Sequence, residues 1–307
     1  MVSRRGSIAL VVALTAVAFA GVAASAFAGF AADPRIGDMQ LGEKHGVAYV
    51  KDSETVVDSG STLAPTGCPG KGEAWRVAGG GFSAGRSFNF INMSRPLDHA
   101  DADTDADDYW EVESNSSAVG TKITGYAICM KEPKLAYSSA TAPGSLSGER
   151  ALSVECPGRT KPIGGGASIS NSDSFLTSLY RSGNTWNAAV HDATGGTGNF
   201  TADAVCLKSR RLETVRKSRI VDPVTQVNVK ILCDAPAMPM GILYQLHGPG
   251  LSPIPVWESR PIDTGDRDRI PEDGWRVGIS NPSAEAQRVT VGTTCLTPPV
   301  SIPRSAR

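Results

Sequence analysis

Apolar and polar residues alternate with a period of two in short stretches of this chain. Thr121–Cys129 and Gln226–Cys233 are clear cases, and Trp110-Glu-Val-Glu and Trp275-Arg-Val-Gly start similar runs. Such alternation predicts half-buried β-strands, because successive strand side chains point to opposite faces. After the first 28 residues no window longer than about ten shows a helical stripe. Within the first 28 lies the apolar run Ile8–Ala20. Arg4 and Arg5 precede it and Ala26-Phe27-Ala28 follows it, so residues 1–28 read as a signal peptide. Ser7 stands where a twin-arginine signal has a large apolar residue, which favours ordinary secretion. An uncleaved anchor reaching to about Phe30 is the alternative.

The strand pattern recurs three times. Cys68 and Cys129, Cys156 and Cys206, and Cys233 and Cys295 bracket three stretches, and Trp110, Trp186 and Trp275 stand 19 or 20 residues before the closing cysteine. Tyr49 and Tyr137 each lie 19 residues before the opening cysteine, and Thr214 holds that offset in the third stretch. After the closing cysteine, Lys131, Lys134 and Leu135 match Lys208, Arg211 and Leu212. The connectors therefore belong to the repeat, which predicts one close-packed array. We divide the chain into a flexible segment 29–46, units 47–133, 134–211 and 212–298, and a tail 299–307.

Within the units, Cys68 and Cys156 open CPG and precede Gly79-Gly80-Gly81 and Gly164-Gly165-Gly166, a triplet that the third unit lacks. Ser94-Arg95-Pro96 and Ser259-Arg260-Pro261 sit at the same offset, where Arg95 and Arg260 are expected to hold a turn. Six cysteines allow 15 pairings. The repeat phase favours pairing within units, tying the first and last strands of each; cyclic pairing between neighbours is the alternative.

The CPG, glycine triplet, tryptophan and closing Ala-x-Cys strand (Ala127-Ile128-Cys129, Ala204-Val205-Cys206) resemble repeats of exported proteins from high-GC Gram-positive bacteria, mostly without assigned function. The resemblance covers about Ala48 to Pro298. More remotely, three cysteine-tied β units are similar in architecture to the β-prism of vitelline membrane outer layer proteins. These resemblances imply an all-β fold of three tandem disulfide-tied repeats about a pseudo-threefold axis. Three tandem small β-sandwiches are the structural alternative.

Composition narrows the function. Two of the 30 basic residues lie in the signal segment, leaving 28 against 31 acidic ones, and no basic block occurs. Such a chain is a poor nucleic-acid binder. With 33 glycines, 20 prolines and 6% aromatics it is turn-rich. Gly81-Phe82-Ser83-Ala84-Gly85 matches the GxSxG of serine hydrolases, with His191 as a conceivable base. The string overlaps the repeated triplet, and Ser168 occupies the corresponding place in unit two, so Ser83 reads as a strand residue. His45, His99, His191 and His247 fall at non-equivalent places. Asp101, Asp103 and Asp105 crudely match the start of a calcium loop, but Ala106 and Val112 stand where an EF-hand needs glycine and glutamate. A looser calcium site would draw on Asp263, Asp266 and Asp268 of unit three. The tryptophans could stack on sugars; core packing is the reading we adopt. Asn92, Asn115 and Asn199 lie in glycosylation sequons. The expectation is an exported, non-enzymatic protein without a required cofactor or a membrane span in its mature form, meeting an envelope or glycan ligand. A secreted hydrolase and a calcium-dependent carbohydrate binder are the rival classes.

Overall fold

A computed structural model describes residues 39–56, 60–69, 75–85, 90–98, 105–116, 119–131, 134–145, 148–171, 173–192, 195–209, 211–247, 254–264, 268 and 270–297, all within one compact unit. Residues 1–28, expected to be a signal peptide, and the tail 299–307 lie outside these residues. After an N-terminal strand β1 (Met39–Lys44), each repeat contributes six strands. Unit one holds β2 (Val47–Thr55), β3 (Gly60–Gly67), β4 (Trp75–Ser83), β5 (Phe90–Leu97), β6 (Tyr109–Ser116) and β7 (Lys122–Lys131). Unit two holds β8 (Leu135–Ser145), β9 (Gly148–Glu155), β10 (Lys161–Ile169), β11 (Ser174–Ser182), β12 (Thr185–Asp192) and β13 (Thr197–Leu207). Unit three holds β14 (Leu212–Val221), β15 (Thr225–Leu232), β16 (Met238–His247), β17 (Val256–Ile262), β18 (Gly274–Asn281) and β19 (Gln287–Leu296). Met39–Lys44, within the segment 29–46, pairs antiparallel with β2, and 29–38 lie outside the described residues.

No sheet belongs to a single unit. Sheet I runs β1-β2-β7-β4-β17-β18-β15, sheet II β3-β6-β5-β10-β13-β8 and sheet III β14-β19-β16-β11-β12-β9. In each, the first, sixth and third strands of one unit join the fourth, fifth and second of the preceding unit, and unit three precedes unit one. The ring closes, and the protein is a pseudo-threefold prism of three shared sheets. Separate tandem sandwiches are excluded, since they would keep each unit's strands together. One continuous core fills the interior, with Val77, Ile163 and Met240 among its fully buried members.

The sheet joins are short, and glycine makes them possible. Two residue pairs link β4 to β17 and β10 to β5, and one links β16 to β11. The triplet's three positions have separate tasks. A Cβ on Gly79 would lie 1.8 Å from Met240 O, one on Gly164 2.8 Å from Ala78 O, and one on Gly241 3.0 Å from Gly164 Cα. Each contact reaches the preceding unit cyclically, so three backbones meet at the axis. Gly241 is the member of the triplet that unit three retains, missed because its two companions are Ile242 and Leu243. Gly80 and Gly165 leave room for the indoles of Trp110 and Trp186, and Gly81 and Gly166 for the carbonyls of Ser259 and Ser94 across the joins.

The disulfides are Cys68–Cys129, Cys156–Cys206 and Cys233–Cys295. They pair within units, but not between first and last strands: each ties the end of the second strand to the sixth. Those strands lie in different sheets, so the three bridges staple sheet II to I, III to II and I to III. Each opening cysteine also donates its N–H to the loop before the fifth strand, at Asp108 O (3.3 Å), Asn184 O (2.9 Å) and Asp273 O (2.9 Å). Among the described residues no helix is long and apolar enough to cross a membrane.

Candidate functional site

Trp110, Trp186 and Trp275 are each the second residue of a fifth strand and are at most 1% exposed. Stacking of these indoles on sugars is thereby removed. Ser94 and Ser259 lie mid-strand, not in a turn, and accept the Nε1–H of Trp110 and Trp275 at 3.0 and 3.1 Å. In unit two Leu179 occupies the matching register, and Trp186 Nε1 has no acceptor among the described residues. Arg95 and Arg260, expected to brace turns, stand on the outer face of fourth strands.

The outer faces of the three sheets carry corresponding cross-strand rungs. In sheet II the rung is Ser139, Asp203, Arg95, Glu111 and Pro65. Its cation is paired with an acid: Arg95 donates to Ser168 Oγ at 3.0 Å and stands 3.6 Å from Asp203 Oδ2, and Ser139 donates to Asp203 Oδ1 at 2.8 Å. In sheet III the rung is Arg216, Gly292, Tyr180, Asn187 and Ser153. In sheet I it is Lys51, Tyr126, Arg260, Arg276 and Lys230. Four cations thus share one rung, where its counterparts hold one each.

This rung lines a cleft of about 290 Å³ that straddles the join of units one and three. Leu41 of β1, and Pro261, Ile262, Asp263 and Pro271, complete the wall. Buried Glu258 fixes the two arginines, because Oε1 accepts from Arg260 Nε at 2.7 Å and from Arg276 Nη2. Burial pushes the Tyr126 phenol up, against the opposing pull of Arg260 and, more weakly, Arg276, so it remains a hydrogen-bond donor at neutral pH. Lys44 clamps β1 to the loop after β17, pairing with Asp268 Oδ2 at 3.1 Å and with Glu272. Within that loop Thr264 N donates to Asp273 Oδ2 at 2.6 Å, and Ile270 N to Asp268 Oδ1 at 2.9 Å.

The acidic loop of unit one has a structural part. Asp107 is buried and paired with Arg76, matching the pairing of Glu272 with Lys44 in unit three. Asp105 is exposed, while Asp101 and Asp103 lie outside the described residues, as do Asp266 and His99. Among the described residues no three metal-ligating side chains gather. Ser83 ends β4 in sheet I, with Thr124 and Glu258 opposite it, in place of the strand–helix elbow of a hydrolase; His191 lies on β12 in sheet III. Asn92 is buried.

Of the cleft's four cations only Arg260 was singled out from sequence, and Asp263 of its wall was named as a calcium candidate. The unit alignment held the signal for the others. Lys51 stands two residues after Tyr49, Tyr126 three before Cys129, Lys230 three before Cys233 and Arg276 directly after Trp275. At the same offsets sheet II carries Ser139, Asp203, Pro65 and Glu111, so the excess of cations appears once the units are registered.

Fold and site together define an all-β, disulfide-stapled prism with a cationic cleft on one face. Residues 220–252 match the family model RebB, described as a killing trait. The match runs from the end of β14 through β15 and β16 and includes one cleft residue, Lys230. No curated protein matches the chain.

Proposed function

We propose that the chain is an exported, non-enzymatic binding protein, a rigid prism that presents the sheet I cleft to an anionic ligand outside the cell. The observation that supports this most is the divergence of corresponding rungs: the scaffold is shared by all three sheets, whereas four convergent cations line sheet I alone. Sites on a rigid frame that depart from its symmetry are where specificity is built. Three disulfides suit an oxidising compartment.

Binding to the folded state stabilises it by RT ln(1 + L/Kd), where L is the free ligand concentration, so the melting temperature rises as free ligand exceeds Kd. A thermal-shift panel of charged and neutral saccharides therefore tests the reading. Anionic members are expected to raise the melting temperature, and a Lys51→Gln, Lys230→Gln variant to lose the shift. Stabilisation by neutral members alone, or by none, contradicts it.

A further inference from the structure

The cleft narrows that reading to a ligand class, and the inference rests on it. We infer that the site holds a phosphomonoester dianion carried on a small body of about monosaccharide size. Lys51, Lys230, Arg260 and Arg276 line the cleft with a single carboxylate, Asp263, and buried Glu258 pairs with the two arginines, so two positive charges are unbalanced. A carboxylate, a sulfate ester or a phosphodiester carries one negative charge, and a phosphomonoester approaches two above its second pKa near 6. The surplus matches the dianion.

Geometry adds to charge. Glu258 Oε1 engages Nε of Arg260 and one terminal nitrogen of Arg276, which orients the remaining guanidinium N–H groups without consuming them. Planar guanidinium forks match phosphate oxygens, and a fork already held in place loses less entropy on binding. Tyr126 supplies a neutral donor from the facing half-sheet. The volume, about 290 Å³, lies at the lower end of small-molecule pockets, roughly 300 to 1,000 Å³. Leu41, Pro261 and Pro271 offer an apolar wall for the organic body.

The test is calorimetric titration of the secreted protein with glucose 6-phosphate, inorganic phosphate, dimethyl phosphate and glucuronate. At pH 7.5 glucose 6-phosphate should bind at least about tenfold more tightly than the two monoanions, dimethyl phosphate and glucuronate. Its affinity should fall about tenfold at pH 5, as the second ionisation near 6 is reversed. Glucuronate keeps one charge throughout and controls for titration of the protein, where Lys51, Lys230, Arg260, Arg276, Tyr126 and Asp263 line the site, Glu258 pairs with the two arginines and no lining residue is histidine. Lys51→Gln, Lys230→Gln should erase the dianion preference without moving the melting temperature of the free protein, since both side chains leave Glu258 untouched. Monoanions binding as tightly as glucose 6-phosphate overturn the inference and leave anion binding standing. Inorganic phosphate binding as tightly as the sugar ester overturns the small-body part. Absence of binding by every anion overturns both inference and reading.

Discussion

Replacing Gly79 with alanine tests whether three backbones meet at the axis. Its Cβ would stand 1.8 Å from Met240 O and 3.0 Å from Met240 C. Cβ contacts in folded proteins essentially never fall below 3.0 Å, so the strands must part by roughly 1.2 Å. The obstructing atom is backbone of β16, itself held by β19, and no flexible side chain can yield. Overpacking a tight interior typically costs about 1–3 kcal/mol, and this site belongs at or above the top of that range. For a protein of this size about 3 kcal/mol corresponds to a fall in melting temperature of roughly 6–12 °C. Gly164→Ala, with 2.8 Å to Ala78 O, and Gly241→Ala, with 3.0 Å to Gly164 Cα, should cost progressively less. Denaturant unfolding of the oxidised protein measures all three. None of these glycines has positive φ, so away from such crowding alanine would stabilise by about 0.4–1 kcal/mol through the unfolded state. The sign is therefore diagnostic: a Gly79→Ala protein as stable as the parent, or more so, would refute the convergence of units.

Three further outcomes follow from particular contacts. Ser94→Ala and Ser259→Ala each leave a buried indole N–H without its acceptor and should cost about 1–3 kcal/mol by denaturant melts; in a Trp110→Phe background the cost of Ser94→Ala should shrink, and an undiminished cost would count against the bond. Replacing Cys156 and Cys206 by alanine should cost about 2–5 kcal/mol, and a loss below 1 kcal/mol would contradict a bridge that staples sheet III to sheet II. Burial raises the Asp203 carboxyl above its ordinary value near 3.8, offset in part by Arg95 and Ser139. Its stability contribution is therefore full below that value and is lost as pH rises through the raised folded pKa. Asp203→Asn should remove this acid-side advantage from the stability profile, and an unchanged profile would argue against it.

Much of the frame was legible because its causes are local. Alternation marked β7 and β15, the 19- or 20-residue spacing placed the tryptophans, and the repeat phase paired the cysteines. The exchange of half-sheets was not legible: the joins β4–β17, β10–β5 and β16–β11 rest on one or two residue pairs between distant segments, and hydropathy does not encode such pairing. The cleft was hidden for a related reason. Lys51, Lys230 and Arg276 each look like an ordinary solvent-facing strand residue, and only their cross-strand register brings them together. Ser-Arg-Pro suggested a turn because proline often marks one; Pro96 and Pro261 instead sit within strands opposite Trp110 and Trp275.

The cleft exists only if unit three closes onto unit one, so closure is the claim to test most directly. Scanning calorimetry of the oxidised protein compares the measured unfolding enthalpy with the van't Hoff enthalpy of the same transition. Shared sheets predict one cooperative transition in which the two agree. Three separable transitions, or a van't Hoff enthalpy near one third of the calorimetric value, would show that the units fold independently and would contradict the prism.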